Sequence, residues 1–361
     1  MATLPRPKRQ EQKMKLTTPV EFPNSEVTIS CGDRIMSLGS CFADSIGRKL
    51  LERGFDVCLN PFGTLYNPAS ILDSIERLDS GEHFTETDCV RMGSGSTKWC
   101  SFHHHTLAAR ESAEEFLASA NESLDQASAF WKSCNKVLVT LGTSWCYRFV
   151  GSAAGQGDGI GHGDGESGGG EAVESGIIVA NCLKRDAREF RREFLKAEET
   201  GRITRNIVLN HPDKQFIFTV SPIRHFKDGA HGNQLSKANL LIGLESGLNA
   251  VSGQPTPQTP DAGQPRFQIP DSGQLLPGAS GSLHGSEVRC DYFPAYEIML
   301  DELRDYRFYA EDMIHPSEQA AGYIFERFID WALPESEKEE FLRRDKAFRQ
   351  SRHITLSSRM K

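Results

Sequence analysis

Short, nearly continuous apolar runs alternate along this chain with longer stretches whose apolar positions recur every three or four residues. The runs at 34–38, 55–59, 136–141 and 215–220 predict buried strands. The run Lys-Val-Leu-Val-Thr-Leu at 136–141 has the character of a parallel strand covered on both faces. Helical spacing predicts helices over 42–53, 70–78, 111–133, 185–210, 236–248 and 316–331, and a charged helix over 335–352. In the first of these, Phe42, Ile46 and Leu50 share a face and Gly54 is placed to end the helix. Residues 99–107 read as strand or loop, 292–297 as a last extended piece, and 300–309 fit neither period. Strands alternating with amphipathic helices predict the α/β class. The expected architecture is a three-layer sandwich with a mostly parallel central sheet and helices on both faces.

Two segments interrupt the alternation. Residues 151–175 are glycine-rich, and 250–288 are rich in Gly, Pro, Gln and Ser. Both read as flexible loop expansions within one domain over 31–334, because the same alternation resumes after each. Residues 1–30 read as a disordered arm, and 335–361 as a charged helix and tail. The first fifteen residues are polar and basic with two prolines, so they do not read as a secretory signal.

The formal charge is −8 over 361 residues, which argues against a nucleic-acid or anionic-membrane partner. No run reaches the ~18 apolar residues of a membrane span. The nine cysteines are odd in number, scattered, and form no CxxC pair. Reduced thiols in a cytoplasmic protein are expected, not a disulfide framework or a zinc site. Cys146, Cys182 and Cys290 read as core or near-core thiols. The run His103-His104-His105 reads as a polar strand, because adjacent side chains on a strand point to opposite faces. Neither metal nor cofactor is expected.

Ligands of an open parallel sheet bind at the carboxyl ends of its strands, and the polar clusters fall there. Gly39-Ser40-Cys41 ends the first strand and opens a helix, setting two nucleophiles near the positive end of a helix dipole. Gly142-Thr143-Ser144 follows the strand at 136–141, and Ser221-Pro222-Ile223-Arg224-His225 follows that at 215–220. Asp312 and His315 are three apart, a spacing that lets a carboxylate fix the tautomer of an imidazole whose other nitrogen faces a nucleophile. The same spacing also fits Asp312 as a helix cap, and Ser40-Cys41 also fits a plain small-residue turn. Arg224 and His225 are candidate substrate contacts or structural residues. Asp228 and Lys237 read as loop-fixing ion pairs or solvated charges.

Gly39-Ser40-Cys41-Phe42-Ala43 resembles the motif that names the GSCFA family. Further matches follow in order: Asn60-Pro61-Phe62-Gly63-Thr64-Leu65-Tyr66-Asn67-Pro68, Thr140-Leu141-Gly142-Thr143, Ser221-Pro222-Ile223-Arg224-His225, and Asp312-Met313-Ile314-His315-Pro316. The family itself resembles a branch of the SGNH (GDSL-like) hydrolases. That resemblance implies Cys41 at the nucleophile position, with Ser40 beside it still a candidate. It implies His315 as base, Asp312 as its orienting acid, and the backbone amides of Cys41 and Gly63 as oxyanion donors. The block Gly142-Thr143-Ser144 stands where those enzymes carry Gly-x-Asn, so Ser144 replaces the side-chain amide, and a hydroxyl of Thr143 or Ser144 partly substitutes. Loss of one such donor typically costs ~10²–10³ in rate. The implied function is an esterase-like hydrolase or acyltransferase acting on a small-molecule or O-acylated carbohydrate ester. The alternative is a non-catalytic ligand-binding module on the same fold.

Overall fold

The structure, a computed structural model, describes residues 17–151, 176–252 and 289–359. The first sixteen residues and nearly all of both inserts lie outside them. The strands are β1 (Arg34–Gly39), β2 (Asp56–Leu59), β3 (Val90–Arg91), β4 (Trp99–Cys100), β5 (Lys136–Leu141), β6 (Trp145–Phe149), β7 (Ile178–Val179), β8 (Phe190–Phe194), β9 (Gln215–Val220) and β10 (Cys290–Tyr292). The helices are α1 (Cys41–Leu51), α2 (Pro68–Ser80), α3 (Ala113–Ser133), α4 (Ala197–Asn210), α5 (Gly229–Ser252), α6 (Ala295–Glu297), α7 (Glu318–Ala332) and α8 (Lys338–Arg359). Among the described residues no helix is long and apolar enough to cross a membrane.

The central sheet has the order β10-β9-β5-β1-β2, and every pairing in it is parallel. Alternation along each strand divides its side chains between two cores. Met36, Leu38, Val137, Val139, Phe216 and Phe218 pack on one face with Ile75 of α2, Trp131 of α3, Ile207 of α4 and Leu240 of α5. Ile35, Leu138 and Ile217 pack on the other face with Phe42 and Leu50 of α1 and Ile324 and Phe328 of α7. The fold is therefore an α/β three-layer sandwich. Because β1 is flanked by β2 on one side and β5 on the other, the chain reverses its direction of progress across the sheet between β1 and β5. Such a reversal opens a crevice at the carboxyl ends of those two strands.

Three expectations change. Residues 185–210 are not one helix. A short 3-10 turn at Ala187–Glu189 leads into β8, and the helix begins only at Ala197. A spacing of four between Phe190 and Phe194 suits one helical turn and two strand periods equally, and the partner strand decides. β6 pairs Phe149 with Phe190 and Trp145 with Phe194, and the latter rings lie 4.7 Å apart. Residues 292–297 leave the sheet after Tyr292 and turn into α6 behind Pro294. In the segment expected to be a loose arm, Val27 and Ile29 are fully buried, and the Ile29 amide donates to the carbonyl of Ala332 at the end of α7. Each such aliphatic burial contributes roughly 1.5–3 kcal/mol, which holds this strap on the domain.

Candidate functional site

Gly39 lets β1 turn into α1 at the crevice. Its φ is +134°, and a Cβ there would lie 2.2 Å from the carbonyl oxygen of Thr140 on β5. Ser40 follows as the N-cap of α1 and is 1 % exposed; its hydroxyl accepts from the Phe42 amide at 3.3 Å. Cys41 is the first residue of the helix and is partly exposed, with Sγ 3.6 Å from the Tyr66 hydroxyl. The two candidate nucleophiles thus have different surroundings: one oxygen caps a helix and the thiol faces the crevice.

Asn60 braces this turn. Its φ of 41° is one that Asn tolerates better than most residues. Oδ1 accepts from the Gly39 amide at 2.8 Å, while Nδ2 donates to Asp44 Oδ1 at 2.7 Å. One side chain therefore joins the ends of β1 and β2 to the first turn of α1. Sequence reasoning placed Asn60 in a turn without giving it this role.

Of the groups expected to form an oxyanion hole, those of Gly63 and of the 142–144 block are engaged otherwise. The Gly63 amide donates to the Asn60 carbonyl at 2.8 Å. The amides of Gly142 and Thr143 both donate to the Tyr66 carbonyl, at 2.8 and 2.9 Å. Ser144 is fully buried; its hydroxyl donates to the Ser236 carbonyl at 3.0 Å and accepts from Asn239 Nδ2 at 2.9 Å. The Thr143 hydroxyl lies 3.0 Å from that of Ser236. The 142–144 block is thereby bolted to α5, and it presents none of these groups as an open donor set. Among the described residues, the amide with no acceptor at this turn is that of Cys41.

Lys237 of α5 lies beneath the block. It is 1 % exposed, and Nζ donates to the carbonyls of Gly142 and Ser221 at 2.6 and 2.7 Å, linking the ends of β5 and β9. Burial lowers its pKa to about 7, against a smaller opposing effect of the Asp228 charge. Asp228 itself pairs with Arg192.

Asp312 and His315 come together in the loop before α7. His315 Nδ1 lies 2.6 Å from Asp312 Oδ2, and Asp312 Oδ1 accepts from the amides of Ile314 and His315 at 2.9 and 3.0 Å. Those two amides and the imidazole hold the carboxyl down at about 2. Met313, at φ 56°, makes the tight turn between them. The Arg224 amide donates to the Ile314 carbonyl at 3.4 Å, so the loops at 221–225 and 312–316 lie side by side.

His225 sits between the two halves of the site. Its ring meets the edge of the Tyr66 ring at 5.6 Å, and its Nε2 is buried with no hydrogen-bond partner among the described residues. Burial, then the charges of Lys237 and His315, hold its pKa down to about 3. Tyr66 thus touches both Cys41 and His225, and the charge of His315 reaches His225. Among the described residues no hydrogen bond joins His315 directly to Cys41 or Ser40. Arg224 stacks 5.5 Å from the Tyr309 ring centre and, with His225, Phe226, Asn233 and Gln234, lines a cavity of about 120 Å³.

The three adjacent histidines diverge. His103 pairs with Asp73 at 2.6 Å, His104 is buried against Ser101, and His105 caps a short turn. Among the described residues no group of three or more His, Cys, Asp or Glu is placed to hold a metal ion. No curated protein and no solved structure matches the chain. The profile of the GSCFA family matches residues 34–155, 170–253 and 275–328, well over half of the length, and the chain belongs to the GSCFA family.

Proposed function

We propose that this protein is an esterase-like hydrolase or acyltransferase built on the plan of the SGNH hydrolases, acting on a small O-acyl ester. The observation that carries the reading is the Asp312–His315 pair at 2.6 Å, in a loop running beside the 221–225 segment that follows β9. An ionised Asp312 fixes the proton on Nδ1 and leaves Nε2 of His315 as the base. Cys41 gives its proton to Nε2 and attacks the acyl carbon. The carbonyl π pair moves to oxygen, then returns to expel the alcohol oxygen, which takes the proton from His315. Water or an acceptor alcohol resolves the thioester in the same way. Substrate-free sites commonly hold base and nucleophile out of hydrogen-bonding range, and the proton transfer requires the loop of His315 to bring Nε2 to Cys41 when substrate binds.

The test is hydrolysis of p-nitrophenyl acetate and of an acetylated sugar by wild type, Cys41→Ala and His315→Ala. The expected result is turnover that falls roughly 10²–10⁴-fold in His315→Ala. Wild type and His315→Ala both at background would sink the reading. A second reading, a ligand-binding module, is favoured by the engagement of Gly63, Gly142, Thr143 and Ser144 within the fold. Saturable calorimetric binding of the acetylated sugar without turnover is the outcome it expects.

A further inference from the structure

Tyr66 carries a hydroxyl at the candidate nucleophile, and neither the resemblance nor the spacing of motifs gives it a role. We propose that this hydroxyl is the side-chain donor of the site, donating to the Cys41 thiolate before reaction and to the carbonyl oxygen as that oxygen gains charge. The inference rests on the hydrolase reading for the second of these steps and not for the first.

Four observations lead to it. The Tyr66 hydroxyl lies 3.6 Å from Cys41 Sγ, within reach of a hydrogen bond to sulfur. The groups that otherwise serve as donors are already bonded: the Gly63, Gly142 and Thr143 amides to carbonyls and the Ser144 hydroxyl to Ser236. The phenol is preorganised. Its backbone carbonyl receives two amides from the turn after β5, its ring rests on His225, and its hydroxyl lies 3.2 Å from that of Thr64. Finally, burial pushes the phenol up to about 12, so it keeps its proton when a neighbouring thiol ionises.

The oxygen of a tetrahedral adduct on Cys41 lies two bonds from the sulfur, so a donor that reaches the thiolate meets it after a small shift. Tyr66 neither gains nor loses a proton during the attack; it stabilises charge as the π pair moves onto oxygen. The Cys41 amide, free of an acceptor and at the first turn of α1, is the second donor. The titratable neighbours of the Cys41–Tyr66 pair are Asp44 from α1, whose charge acts on Tyr66, and His225; the Asp44 charge also reaches His105 from the loop after β4.

The experiment follows alkylation of Cys41 by iodoacetamide from pH 5 to 10 on the full chain, read as the mass of the Cys41 peptide. Wild type, Tyr66→Phe, Thr64→Val and His315→Ala are compared. Tyr66→Phe is expected to raise the midpoint by about one pH unit and to slow alkylation at pH 7 about tenfold. Thr64→Val, which leaves Tyr66 in place, shifts it less and in the same direction. Ester turnover by Tyr66→Phe falls about 10²–10³-fold with little change in KM. An unchanged midpoint and unchanged turnover in Tyr66→Phe would overturn the assignment and leave the hydrolase reading standing. No wild-type turnover together with a shifted midpoint would remove the hydrolase reading while keeping Tyr66 as the thiolate's donor.

Discussion

At the scale of single residues, the crevice is set by a few side chains whose roles cannot be exchanged. Ser40 and Cys41 are adjacent, small and nucleophilic, and the family resemblance favours Cys41 while leaving Ser40 a candidate. Their burial separates them: the Ser40 oxygen caps α1 in the interior, whereas Cys41 is partly exposed on the first turn. Ser40→Ala should therefore lower stability by about 1 kcal/mol, the usual cost of a lost N-cap. Cys41→Ala should leave the urea midpoint near that of wild type while removing thiol reactivity. A stability loss confined to Cys41→Ala would reverse the two roles. Gly39 is less forgiving than either. Gly39→Ala combines a φ that L-residues avoid with a Cβ inside the contact radius of the Thr140 carbonyl, and β1 and β5 cannot separate without breaking their ladder. A loss of about 3 kcal/mol or more in urea denaturation is expected.

At the scale of elements, the sheet strands were legible because buried parallel strands are short, apolar and bounded by turn residues. β1, β5 and β9 fall at or within a residue of their expected spans. α1 and α3 were legible for the complementary reason, a single apolar stripe bounded by caps. The small antiparallel sheet of β6, β7 and β8 was not. Its apolar residues are aromatic and spaced by four, a pattern that only a partner strand resolves. The spacing of Asp312 and His315 allowed either their contact or a helix cap, and Ser317 is the cap of α7; the engagement of the expected donors was not legible, because backbone partners leave no trace in side-chain identity. Lys237 is the sharpest such case. A lysine between Ser236 and Ala238 looks like a solvated helical charge, yet it lies buried under two strand-end carbonyls. Two of its N–H groups meet those two acceptors. Lys237→Met keeps the aliphatic stem and removes both donors. With an unsatisfied buried partner costing roughly 1–3 kcal/mol, the variant should lose about 3 kcal/mol with an unchanged denaturant slope.

At the scale of the whole molecule, the reversal of the chain between β1 and β5 gathers residues separated by nearly the full sequence, and it does so by burying polar groups. Two of these are imidazoles. His104 is enclosed by the rings of Phe62, Phe84 and Phe116, and burial holds its pKa down to about 3, as it does for His225 at the other side of the site. An unfolded chain protonates both rings near pH 6.5, whereas the folded chain does not until about pH 3. Between those values the unfolded state binds more protons, so stability is complete above pH 6.5 and falls as the pH drops toward 3. The slope is up to about 1.4 kcal/mol per pH unit for each ring. Asp312 acts in a lower window: its depressed pKa stabilises the fold above about 3.8, and that contribution is lost as the pH falls through about 2. Lys237, its pKa lowered to about 7 from 10.5, already costs stability as the pH falls toward 7, so urea denaturation at intervals from pH 7.5 to 4 should show a decline whose part below 6.5 is carried by the two rings, before carboxylates of ordinary pKa titrate. Because His104 packs among Phe62, Phe84 and Phe116 and touches none of Cys41, Tyr66 and His225, His104→Phe should flatten the decline by one ring's share while leaving Cys41 alkylation at neutral pH unchanged. A flat profile down to pH 5 in wild type would mean that neither ring is buried as described, and it would withdraw His225 from the centre of the site.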